Sequence, residues 1–274
     1  MTEFEKPGSG VLERAFAVIR LLADAPPQGM RVTQLAKQAA LTQGTVHRTL
    51  QTLIEQQVVE QDEKSKYYRL SIDFFALAAR ATHPSNLRDL CRPTLLRLCT
   101  SLGDTLFLLA RSGLDAVCLD RCDGPLPIRS FTGDIGGRIA MGIGQGSIAI
   151  LAYLPEQERE EIIRINLPRL RTLGVFDEVY LRTAIDRVRA LGYAAQNNGL
   201  IEGMAGVAVP IFDCNGRAVA ALSVGTLAGR LNEDRLPTVV ELLNREAKLL
   251  SQRINPFDPT LRRPIQNLAA VDAN

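Results

Sequence analysis

Apolar residues recur at helical spacing from the start of the chain. Val11, Leu12, Ala15, Val18, Ile19 and Leu22 share one side of a helix that Pro26-Pro27 stops. A second, short helix is predicted over about 34–40, with Thr33 as its N-cap and Leu35, Ala36 and Ala39 turned inward. Leu41 and Thr42 lead to a third helix, capped by Thr42, whose apolar face is Val46, Leu50, Leu53 and Ile54. Two strand-like runs follow, Val58 to Gln61 and Tyr67 to Leu70, with Asp62-Glu63-Lys64-Ser65 as the turn between them. Three helices and a hairpin make a small unit over residues 10–70. Ile72 to Ala81 reads as a linking helix, and the turn formers His83-Pro84-Ser85-Asn86 place the domain boundary within residues 71–86.

A larger unit is expected over residues 87–255. Leu87 opens a helix with Leu90, Cys91, Leu95, Leu98 and Leu102 on one side, bent near its start by Pro93. The period then changes to that of strands. Thr105 to Ala110, Ala116 to Asp120 and Ile128 to Thr132 are predicted strands, the first two joined as a hairpin. A glycine-rich stretch, Gly133 to Gly146, enters a helix over about 147–154, and further helices are expected over about 156–164 and 177–191. Val207 to Phe212 and Val219 to Thr226 flank Asn215-Gly216, a strong hairpin signal. A helix over about 234–254 closes the unit, and residues 256–274, which are polar and Pro-containing, read as a flexible tail. Hairpins and helices in this mixed order favour an α+β fold around an antiparallel sheet.

Composition narrows the class without choosing a function. The 274 residues are 46% hydrophobic and 23% charged, which excludes wholesale disorder, and the length suits two domains. No apolar stretch reaches the ~20 residues that cross a bilayer, so no membrane partner is expected. Residues 1–10 carry Glu3, Glu5 and Lys6 and no apolar core, so no secretory signal is expected either. Five cysteines, an odd number, fit a reducing compartment and a cytoplasmic protein. The net charge of +2 neither demands nor forbids nucleic acid, because recognition needs a local basic surface.

Candidate chemistry is concentrated in the small unit. Two short helices joined by a tight turn are the parts of a helix-turn-helix. Once the core positions of the third helix are removed, its other face offers Gln43, Thr45, His47, Arg48 and Gln51. Arg can donate two hydrogen bonds to guanine, Gln can pair with adenine, and Thr offers a hydroxyl and a methyl, which is what a major-groove reader needs. Thr33, at the start of the second helix, joins this DNA-facing set. Lys64 and Lys66 near the hairpin tip can meet phosphates, making the hairpin a wing. The electrostatic footprint is small: six basic residues against four acidic ones between residues 31 and 69.

Val11-Leu12-Glu13-Arg14-Ala15, Thr33-Gln34-Leu35-Ala36, Thr45-Val46-His47-Arg48-Thr49-Leu50 and Tyr67-Tyr68-Arg69-Leu70 together resemble successive signatures of the IclR family of bacterial transcriptional regulators. Leu119-Asp120-Arg121 followed by Gly124, then Gly192-Tyr193, then Pro210-Ile211-Phe212-Asp213 to Ala220-Ala221-Leu222-Ser223-Val224 resemble that family's effector-binding domain. The likeness runs from about residue 10 to residue 254. It implies a winged helix-turn-helix, a linker helix and a GAF-like α/β effector domain. It also implies a homodimer or dimer of dimers on palindromic double-stranded operator DNA. Effector binding would shift the paired DNA-binding domains through the Ile72–Ala81 helix, with DNA and effector altering each other's affinity by the same factor.

The resemblance also points to effector-binding positions: Gly144 and Gln145 in the glycine stretch, Gln196 or Asn197, and Ser223 and Gly225 on the last hairpin strand. Family members that bind small keto acids tend to carry an acidic residue near position 197 and two serines on that strand. Here Asn197 and Gly225 stand instead, with Met141, Ile143 and Met204 as added apolar surface. The expected effector is therefore an aromatic or otherwise largely apolar acid.

Other readings of the same residues compete with these. Gly142-Ile143-Gly144-Gln145-Gly146-Ser147 fails as a dinucleotide fingerprint, because Ser147 occupies the third glycine position and no Val/Ile-rich strand ends before it. No cofactor is expected. Cys118 and Cys122 lack neighbouring histidines, so no metal site is expected and buried packing is the default. With two histidines in the chain and no nucleophile elbow or paired-His motif, no catalytic residue is assigned and no enzyme is expected. The alternative function is a winged-helix protein-interaction module attached to a small-molecule-binding or enzymatic domain.

Overall fold

The computed structural model describes residues 10–81, 87–125, 128, 134–172, 177–197 and 201–254. The chain divides into two compact units, 1–83 and 84–274. In the smaller unit, α1 (Val11–Ala23), α2 (Val32–Gln38) and α3 (Gln43–Glu55) precede β1 (Val59–Gln61), β2 (Tyr68–Leu70) and α4 (Ile72–Ala81). Val18, Leu35, Val46 and Leu50 are wholly buried in one core with Leu21, Leu22, Met30, Leu53, Val59 and Tyr68. Full burial of each such side chain contributes roughly 1.5–3 kcal/mol. Met30 extends the β1–β2 hairpin by exchanging two backbone hydrogen bonds with Tyr68, at 2.9 and 2.8 Å.

The start of α2 differs from the sequence expectation. Arg31, not Thr33, is its N-cap, and the Gln34 side chain accepts from the Arg31 N–H at 2.8 Å. Gln34 supplies the reaching-back half of a capping box, satisfying the Arg31 N–H, and Thr33 becomes a first-turn residue. α2 also ends earlier than expected, at Gln38, with Ala39 as its C-cap.

The larger unit is a six-stranded antiparallel sheet between two helical layers. Its strands are β3 (Thr105–Ser112), β4 (Asp115–Cys122), β5 (Arg138–Ala140), β6 (Ala194–Asn197), β7 (Met204–Phe212) and β8 (Ala218–Leu227). The spatial order is β5-β4-β3-β8-β7-β6. Leu106, Leu108, Val207, Val209, Leu222 and Val224 point to one face, under α5 (Leu87–Leu102) and α9 (Arg235–Ser251). Phe107, Leu109, Ala208 and Ala221 point to the other, under α6 (Gly144–Ala152), α7 (Glu156–Arg171) and α8 (Glu178–Leu191). The Asp213–Gly216 turn closes the β7–β8 hairpin as the Asn-Gly pair predicts, with the Asp213 carboxylate accepting from the N–H groups of Asn215 and Arg217.

Two features of this unit escaped the sequence pattern. The expected strand over 128–132 lies outside the described residues except for Ile128, which is in no strand; the strand that completes the sheet edge is β5, inside the glycine-rich stretch. β4 carries a bulge at Leu119: Leu108 faces Asp120, while the next residue, Leu109, faces Cys118. The bulge turns Asp120 under α5, where its buried carboxylate accepts from Arg92 at 3.1 Å and from the Arg121 N–H at 2.9 Å. The same bulge puts Cys118 in the core beneath α6–α8 and Cys122 against the opposite core.

Candidate functional site

Thr42 fixes the start of α3: its hydroxyl accepts from the Thr45 N–H at 3.2 Å and lies 2.9 Å from the Thr45 hydroxyl. That bond leaves Thr45 half-buried and occupied, while Gln43, His47, Arg48 and Gln51 are exposed on the face opposite Val46 and Leu50. The Arg48 guanidinium has no hydrogen bond or ion pair among the described residues. It can therefore present both amino groups to a base edge without breaking an internal contact. Thr33 is exposed on α2, and Arg31 beside it stacks over the Tyr67 ring at 5.1 Å. Arg31 was not singled out in the sequence because the ring that holds it lies 36 residues away.

The wing is organised by Asp62. Its carboxylate accepts from the Ser65 N–H and hydroxyl, both at 2.7 Å, and from the Lys64 N–H at 3.2 Å. The Ser65 bonds hold the Asp62 carboxyl below its ordinary range. Lys64 and Lys66 at this turn are exposed, with no carboxylate partner among the described residues, whereas Arg69 is engaged by Glu60.

In the larger unit, the glycine-rich stretch starts α6 over the sheet. The Ser147 hydroxyl accepts from the Gly142 N–H at 3.1 Å and donates to the Ile143 carbonyl at 2.6 Å, locking the entry to the helix. Across the sheet, Gln196, Gly206, Gly225 and Thr105 stand in register, and so do Ala194, Ala208, Ser223 and Phe107. Both rows share the face beneath α6. Small residues there let other side chains come close. A Cβ on Gly206 would lie 2.8 Å from Gln145 Oε1, and one on Gly225 would lie 2.3 Å from Ile128 Cδ1.

Gln145 Nε2 donates to Gln196 Oε1 at 2.9 Å, and the Tyr180 hydroxyl donates to the same oxygen at 3.1 Å. Burial holds the Tyr180 phenol above its ordinary value, so it remains a donor at neutral pH. Ser223 is buried one strand pair from Gly206. Met141 and Ile143 are buried in the core with α7 and α8, and Met204 is half-buried opposite Leu227. Gly144 opens α6 at φ +72°. Asn197 pairs with Ala205 at the end of β6, and its side chain lies outside the described residues. Tyr180 was missed from sequence; the signal was a second stripe on α8, Tyr180, Ala184 and Arg187, beside the buried Leu181, Ile185 and Val188.

Burial pushes the Cys118 thiol up to about 11 and those of Cys91 and Cys99 up to about 12, so these sulfurs stay protonated. Among the described residues, no three His, Cys, Asp or Glu side chains converge as metal ligands, and no helix is long and apolar enough to cross a membrane.

Comparison with known proteins decides what these parts belong to. The family model described as "Bacterial transcriptional regulator IclR C-terminal" matches residues 79–252, and the IclR helix-turn-helix domain matches residues 11–63. The chain belongs to the IclR family of transcriptional regulators. Among IclR-type relatives, the HTH-type transcriptional regulator BhcR of Paracoccus denitrificans is 29% identical, over 91% of this chain and 88% of its own. The regulator KdgR of Escherichia coli is 26% identical, over 89% and 92%. An IclR homologue from Microbacterium hydrocarbonoxydans, solved in complex with 4-hydroxybenzoate, superposes with a TM-score of 0.75 at 23% identity, covering 89% of this chain and 98% of its own. This IclR protein is a DNA-binding transcriptional regulator with an N-terminal winged helix-turn-helix and a C-terminal effector-type α/β domain.

Proposed function

We propose that residues 10–70 read a palindromic operator, with Arg48, Gln43, Thr45 and Gln51 on base edges and Thr33, His47, Lys64 and Lys66 on or near the backbone. Residues 71–86 then link them to an effector domain at 87–255; the tail expected over 256–274 lies outside the described residues. The observation that carries this reading is the exposed Arg48, without a partner among the described residues, on a helix whose opposite face is core. A homodimer, alone or paired, in the cytoplasm matches a two-fold operator. The exposed Val11, Leu12 and Phe16 on α1 and Ile72, Phe75 and Leu77 on α4 offer apolar surface for a second copy.

The effector binds beneath the start of α6, against Gly206, Ser223 and Gly225, with Gly144, Gln145, Gln196, Asn197 and Met204 at its edges and Met141 and Ile143 supporting the floor. Gln145, Gln196 and Ser223 are neutral, so the site suits an aromatic or largely apolar acid better than a small, strongly hydrated one. The 4-hydroxybenzoate held by the Microbacterium homologue is an acid of that class. Regulation of a neighbouring catabolic operon, with no enzymatic step in the protein itself, completes the reading. Calorimetric titration against aromatic and short aliphatic acids, repeated with operator fragment present, tests it. Selective binding of the aromatic acids with a matching change in DNA affinity is expected; binding of only the smallest acids contradicts it.

A further inference from the structure

α5 and the end of β4 bring two thiols together. Cys99 is buried on the sheet-facing side of α5, and its Sγ donates to the Cys122 carbonyl at 3.5 Å. The Cys122 thiol lies within hydrogen-bonding reach of the same sulfur. We infer that Cys99 and Cys122 are a modification site, at which a hydroperoxide forms a reversible disulfide between α5 and β4. The inference does not rest on the regulator reading. The bulge at Leu119 sets up the pair, because Cys118 enters the core beneath α6–α8 while Cys122 packs against the core under α5. The remaining cysteines stand apart. Cys91 is wholly buried about two turns earlier on α5, and Cys214 is exposed in the β7–β8 turn.

A sulfur this close to its partner's backbone can meet the partner's sulfur by side-chain rotation, with α5 still seated on the sheet. Cys122 is half-buried and reaches solvent, so it takes the oxidant. Its Sγ gives up a proton and attacks one oxygen of the peroxide. The O–O bond breaks, the second oxygen leaves with that proton as water or an alcohol, and Cys122 becomes a sulfenic acid. Cys99 Sγ then attacks the sulfenic sulfur, the S–O bond breaks, and the oxygen departs as water with the Cys99 proton. Two thiols are oxidised by two electrons and the peroxide is reduced by two. Burial and the neighbouring Cys122 thiol hold the Cys99 proton in place, so Cys99 is the resolving partner and not the first to react. Arg92, which donates to the Arg121 carbonyl at 2.9 Å, works against that hold through its positive charge. The bond would tether the strand end from which Arg121 reaches the Ile128 carbonyl at 3.0 Å, and Ile128 packs against Gly225 on the effector face.

The full chain carrying Cys214→Ser, which removes the exposed thiol, is treated with hydrogen peroxide, and the free thiols are then alkylated. Two of the four remaining thiols are expected to be lost, with a mass decrease of two hydrogens, and dithiothreitol to restore both. Trypsin puts Cys99 in the peptide 98–111 and Cys122 in 122–129, with Cys118 in a separate one, and the disulfide joins the first two. Cys99→Ser leaves Cys122 as a sulfenic acid that dimedone traps, whereas Cys122→Ser gives neither dimedone adduct nor disulfide. No loss of thiols, a link through Cys91 or Cys118, or a dimedone adduct on Cys99 in Cys122→Ser overturns the inference.

Discussion

On α3, Gln43, His47, Arg48 and Gln51 stand in solvent, whereas at a few places in the larger unit charged side chains are folded inward and matched. Asp104, 2% exposed, accepts from Thr226 at 2.6 Å, Arg230 at 3.0 Å and Arg235 at 2.6 Å. Glu158 is engaged by both Arg111 and Arg217. The same residue types serve opposite ends. An unpaired surface Arg keeps its hydrogen-bonding capacity for a partner, while the Asp104 and Glu158 carboxylates are engaged in holding strands, helices and loops together.

That contrast can be broken at either end. The largest effect is expected at Asp104. Asp104→Ala leaves two partly buried guanidiniums without their carboxylate and should cost about 2–4 kcal/mol in denaturant unfolding. A loss below about 1 kcal/mol would mean that solvent already screens the cluster. Thr42→Ala is the counterpart in the small unit. It removes one capping bond and should cost about 1 kcal/mol, with weaker DNA binding, because the cap sets where α3 begins. An unchanged unfolding midpoint would show that the cap is redundant. Lys64→Ala should leave stability untouched, lower affinity for all duplexes alike, and reduce the slope of log affinity against log salt by about 0.9. A slope equal to wild type would remove the wing from the phosphate contacts.

The same contrast explains what the sequence disclosed. The reading helix was legible because its core positions, Val46, Leu50 and Leu53, repeat locally and leave the exposed face by subtraction. Its cap was legible for the same reason, being four residues from its first core position. The larger unit's polar site was less so. Gln145 meets Gln196 across 51 residues and Tyr180 meets Gln196 from another helix, and no local period encodes either contact. The bulge at Leu119, which decides that Asp120 and Cys118 face opposite cores, is likewise invisible to a simple two-residue alternation. β5 hid among glycines because three residues bounded by tight turns carry too little pattern. Arg31 at α2 shows the local limit: a hydroxyl at position 33 looks like a cap until the Gln34 side chain, reaching back to the Arg31 N–H, marks the helix as starting earlier.

The direct test concerns Arg48. Wild type and Arg48→Ala are titrated by fluorescence anisotropy, at one salt concentration, against the regulator's operator and against random duplex. Loss of a bidentate base contact predicts about 1–3 kcal/mol, roughly 5- to 150-fold, on the operator, with a much smaller loss on random sequence. Equal losses on both duplexes, or none on either, would contradict the placement of the α3 face in the major groove.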